Sequence, residues 1–162
     1  MRRRMWITIA VLGTVAVALL SILLVRVGMQ EVDSANRKYM YGASTPACKL
    51  VTNRIIALEQ EVEGLERRPL NMRVGVFCDA QSWSRQADAL GHYGMGAAPY
   101  LVEQQERTVF FNARALLPFD KHKQDLVLLG MAELRLDTDD PTRLGALVEK
   151  WREASDVVYI PE

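Results

Sequence analysis

The chain has 162 residues, 20 Lys+Arg against 20 Asp+Glu, 49% hydrophobic residues, two cysteines and two histidines. That length suits one modest domain with an appendage. It carries no basic domain to give nucleic acid an electrostatic footprint, too few cysteines for a disulfide-rich scaffold, and too few histidines for a histidine-built metal centre. The neutral balance averages two unlike parts: Arg2, Arg3, Arg4 and Arg26 flank an uncharged run, leaving 16 basic and 20 acidic residues beyond position 28.

Residues 1–27 form a cytoplasmic tip and an anchor. Trp6 to Val25 reads WITIAVLGTVAVALLSILLV, 20 residues without charge, of which 16 are apolar. As a helix this run spans about 30 Å, the hydrocarbon thickness of a bilayer. Trp6 stands at an interfacial position, and Val25-Arg26-Val27 is a poor signal-peptidase site, which favours a retained anchor over a cleaved signal. The arginines at positions 2 to 4 outweigh the dispersed Arg26, Arg37 and Lys38, so the N-terminus is expected inside and residues 27–162 outside. In a bacterium, outside is the periplasm. Ala10, Thr14 and Ala18 make a small-residue stripe along which two anchors could approach.

Residues 28–69 read as a linker followed by a heptad-patterned helix. The linker is polar and punctuated by Gly42, Ser44, Thr45 and Pro46. Cys48, Val51, Ile55, Leu58, Val62 and Leu65 then recur at spacings of three and four, an a/d pattern. Three readings stay open at this point: an amphipathic helix packed on its own domain, a self-association seam of Val51, Ile55, Leu58, Val62 and Leu65, or pairing with another membrane protein.

Residues 70–162 predict a small α+β domain with the order β-α-β-β-α-α-β. Met72 to Cys78 is β-branched and aromatic, hence a strand, and Asp79 caps a helix carrying Trp83, Ala87 and Leu90 on one face. Tyr100–Glu103 and 107–113 form a hairpin. Asp120 caps an apolar helix through Leu134, Asp140-Pro141 opens another, and Val157 to Ile160 reads as a closing strand.

The uncharged N-terminal span, the membrane-proximal heptads and a terminal β-α-β-β-α-β-like domain resemble the bitopic inner-membrane assembly proteins of type II secretion and type IV pilus machines. That resemblance implies a ferredoxin-like domain that pairs with protein partners outside the membrane. The strand Thr108 to Leu117 followed by the helix Lys123 to Leu134 looks like the edge strand and active helix of zincin metallopeptidases. There, His-Glu-x-x-His supplies two ligands and a base. Gly130 and Leu134 stand in the ligand positions and Met131 in that of the base, so the resemblance implies at most a membrane-anchored degenerate enzyme without metal.

No catalytic residue, metal ligand or cofactor is assigned. Gly91, Gly94 and Gly96 follow a helix rather than lead into one, unlike a phosphate loop. His92 and His122 lack a framing carboxylate or cysteine set, and Ser82 and Ser84 lack a nucleophile elbow. Asp137, Asp139 and Asp140 read as a turn leading into a helix rather than a calcium loop. Cys48 and Cys78 could form a disulfide in an oxidising compartment, stay as free thiols, or, at Cys48, bridge two chains. The function expected from all this is a non-catalytic, single-pass membrane protein. Its partners are the bilayer through residues 6–25 and proteins, or a second copy, through the heptad-patterned stalk helix, with no nucleic acid.

Overall fold

A computed structural model describes residues 29–33, 38–42 and 44–154. The anchor read at residues 6–25 and the strand read at Val157 to Ile160 lie outside them. Among the described residues no helix is long and apolar enough to cross a membrane. The fold is mixed α/β. Its elements in chain order are β1 (Met29–Asp33), β2 (Lys38–Tyr41), α1 (Pro46–Glu66), β3 (Arg73–Phe77), α2 (Ala80–Ala89), β4 (Tyr100–Glu103), β5 (Thr108–Asn112), α3 (Lys121–Leu136) and α4 (Pro141–Ala154).

One five-stranded sheet has the order β1-β2-β3-β5-β4. Its three inner strands β2, β3 and β5 run parallel, and the edge strands β1 and β4 are antiparallel to their neighbours. The expected hairpin is present, with Tyr100 opposite Phe111 and Glu103 opposite Thr108. Helix starts follow their caps: Thr45 Oγ1 accepts from the Cys48 amide, Asp79 from the Ser82 amide and Asp120 from the Lys123 amide. Pro46 and Pro141 each sit in a first turn, where a missing N–H costs nothing.

Alternation along the strands sends Met40, Val74, Val76, Val109 and Phe111 to one face, where α1, α3 and α4 cover them. This corrects two expectations. The stretch expected to be a linker supplies β1 (Met29–Asp33) and β2 (Lys38–Tyr41) of the sheet. The heptad residues do not form a self-association seam: Val51, Ile55, Leu58 and Val62 are 0 to 5% exposed, and Leu65 packs against the same core. A spacing of three and four defines any helix with one apolar stripe, and here that stripe lies on a sheet instead of a twin helix. Lys38, on the inward side of β2, is buried and paired with the buried Glu59 of α1.

Candidate interaction surface

The opposite face of the sheet is aromatic and only partly covered. It carries Tyr39 and Tyr41 from β2, Arg73, Gly75 and Phe77 from β3, and Phe110 from β5, aligned because Tyr39 pairs with Gly75 and Gly75 with Phe110. Gly75 is needed there. A Cβ at that position would stand 2.8 Å from the Phe110 ring and 3.2 Å from the Tyr41 ring. The Tyr41 and Phe77 rings stack at 4.5 Å between centroids, and Phe77 meets Trp83 and Phe110 edge-on at 5.8 and 6.0 Å.

Helix α2 covers this face through Trp83 and Ala87, both buried, and Trp83 Nε1 donates to the Met95 carbonyl at 3.1 Å. With ten residues α2 is about 15 Å long, whereas five strands span roughly 19 Å of sheet. Tyr39, Tyr41 and Arg73 remain half-buried. Burial raises the Tyr41 pKa, Tyr39 raises it further and Arg73 opposes them, which places all three in one electrostatic neighbourhood. Arg73 Nη1 also reaches Glu106 Oε2 at 3.1 Å, an exposed pair worth little by itself.

At the carboxyl ends of the parallel strands, the structure joins Cys48 and Cys78 in a disulfide with Cα atoms 5.5 Å apart. Next to it, Gly42 adopts φ +89°, and a Cβ there would fall 2.1 Å from Asp79 Oδ2. Burial alone would raise the Asp79 pKa, but hydrogen bonds from the Ser82 amide and hydroxyl hold it below the ordinary value. Asn112 closes the same end, donating through Nδ2 to the carbonyls of Gly96 and Ala98.

A second polar contact lies across the sheet edge. The Tyr100 ring rests on Gly130, where a Cβ would come within 3.0 Å of it, and its hydroxyl bonds Glu133 one turn along α3. Burial, then the charge of and the bond to Glu133, push the Tyr100 pKa up to about 12. Glu133 is itself raised, by burial first and by Asp139, against the lowering influence of Tyr100 and His92.

The other residues singled out from the sequence are dispersed. His92 and His122 are exposed. Gly130, Met131 and Leu134 are buried, the last two within the main core. Asp137 forms the left-handed end of α3, and Asp140 Oδ1 accepts from the Thr142 amide, so both serve the turn. Among the described residues no three His, Cys, Asp or Glu side chains are grouped to hold a metal ion. A cleft at the ends of α1 and α4 is lined by Leu65, Glu66, Arg68, Lys150, Trp151 and Ala154. Its carboxylate, Glu66, already accepts from Arg68, Arg135 and Trp151.

Comparison with protein-family models, curated proteins and solved structures found no match to this chain. Sequence reasoning missed Tyr39, Tyr41 and Arg73. The available signal was the alternation Lys38-Tyr39-Met40-Tyr41, masked by a lysine in a buried position.

Proposed function

We propose that this chain is a single-pass membrane protein whose exterior domain is a non-catalytic protein–protein interaction module of an envelope assembly. The observation that carries the reading is the half-buried patch of Tyr39, Tyr41 and Arg73 beside a face otherwise sealed by α2. Tyrosine and arginine are enriched in the buried centres of protein interfaces, because each offers a large contact area with a polar handle. The charge-free run at positions 6–25 supplies the anchor, and the Cys48–Cys78 disulfide suits an oxidising exterior, the periplasm in a bacterium.

The test is cross-linking in membranes with the full chain, purified under denaturing conditions and resolved by mass. Wild type is expected to yield a discrete adduct that Tyr39→Ala and Arg73→Glu each abolish while leaving the protein's membrane level unchanged. Recovery of only the uncrosslinked monomer, or adducts indifferent to both substitutions, contradicts the reading.

A further inference from the structure

The register fixes where the chain enters the domain. Met29, the first residue of β1, pairs with Tyr41, which pairs with Phe77, which pairs with Asn112. The chain therefore enters at the carboxyl ends of the parallel strands. Only Arg26, Val27 and Gly28 separate Val25, the end of the charge-free run, from Met29. Three residues reach roughly 10 Å when fully extended. The headgroup layer on each side of a bilayer is itself about 5–8 Å thick. If residues 6–25 cross the bilayer, a separation this short sets this end of the sheet beside the lipid surface.

The side chains at that end have matching chemistry. The exposed large hydrophobic residues among those described are Leu50, Tyr93 and Met95, at 49, 79 and 46% exposure. Leu50 lies two residues beyond Cys48, which the disulfide ties to the end of β3. Met95 is held there because its carbonyl accepts from Trp83 in the first turn of α2, while the next carbonyl, that of Gly96, accepts from Asn112. Tyr93 lies further from this end, because the amide of the preceding His92 bonds the Ala87 carbonyl in the last turn of α2. Lys49, Arg85 and Arg114 are exposed around them. The neighbouring acid, Asp79, is engaged by Ser82 as a helix cap. Apolar tips accompanied by cations are a composition that enters a headgroup layer and meets lipid phosphates.

We propose that the carboxyl-end pole of the sheet is a lipid-docking surface, with Leu50 and Met95 entering the headgroup layer and Lys49, Arg85 and Arg114 facing lipid phosphates. The proposal rests on the anchored reading of residues 6–25. Docking fixes the tilt of the domain on the membrane, and with it the direction in which the Tyr39–Tyr41–Arg73 patch faces a partner.

The experiment uses the full chain in vesicles of phosphatidylcholine and phosphatidylglycerol. An environment-sensitive fluorophore is placed on Met95→Cys, on Leu50→Cys or, as a control on the turn at the far end of the sheet, on Gln105→Cys. Flotation with the vesicles is scored first. The expected result is blue-shifted emission at positions 50 and 95, quenched several-fold more by lipid-borne nitroxide than emission at 105. Emission at 50 and 95 indistinguishable from that at 105, in chain that floats, overturns the docking surface and leaves the anchor intact. Chain that does not float overturns the anchor, and the docking proposal with it.

Discussion

Replacing Lys38 by methionine tests whether residues 28–46 are structure rather than linker. The Lys38 and Glu59 side chains are 6 and 5% exposed and form an ion pair between β2 and α1. Removing one member of a buried pair leaves the other charge undercompensated in a poorly solvated place, at a cost of about 3–5 kcal/mol. A folded unit of about 120 residues has an unfolding entropy near 0.25 kcal/mol/K, so Lys38→Met should lower Tm by roughly 12–20 °C. Lys38→Met with Glu59→Leu should recover most of that loss, since both buried charges are gone and apolar volume replaces them. Thermal unfolding of the detergent-solubilised full chain is readable through the tryptophan fluorescence of buried Trp83 and Trp151. A single variant within about 0.5 kcal/mol of wild type, the range of ordinary surface changes, would show that β2 is not seated on α1 and would refute the reasoning.

Gly42→Ala forces a side chain onto a left-handed residue and into Asp79 Oδ2. The backbone penalty and the disturbed α2 cap together predict a loss of about 2–3 kcal/mol, measured by urea unfolding. An unchanged midpoint would contradict the close approach. The double substitution Cys48→Ala, Cys78→Ala opens a loop whose ends are 30 residues apart, worth about 4 kcal/mol in the chain-entropy model. Its Tm should fall to nearly that of the reduced wild type, and a gap between the two would assign the loss to something other than the bond. Glu133 has a raised pKa in the fold, so its stabilising contribution is fully present below its ordinary value of 4.5 and is lost as pH rises through the folded pKa. Glu133→Gln should therefore raise Tm at neutral pH, with the gain shrinking as pH falls through the raised folded pKa and gone below about 4.5. A gain independent of pH would contradict that assignment.

The capped and punctuated parts of the chain were legible in its sequence. Asp79, Asp120 and Asp140-Pro141 each mark a helix start that the structure contains, and the β4–β5 hairpin follows from two alternating runs around a polar turn. The strands β1 and β2 were not legible, for a physical reason. Lys38 occupies an inward position that only a distant partner, Glu59, makes tolerable, and Gly42 to Pro46 punctuate β2 after four residues. The heptad pattern of α1 was read correctly as an apolar stripe, but its spacing does not encode whether a helix or a sheet meets it. Tyr39, Tyr41 and Arg73 become a patch only when parallel pairing brings β2 beside β3, across a connection that contains the whole of α1.

The central claim is that an anchor holds a disulfide-closed domain outside the membrane. Thiol trapping in intact cells tests it most directly. Cells are acid-quenched, membranes are floated, and the denatured chain is treated with a mass-tagged maleimide before and after reduction. The account predicts that membrane-bound chain takes no tag before reduction and one on each of Cys48 and Cys78 afterwards. Tagging of both cysteines without reduction, or recovery of the chain away from the membrane, would contradict it.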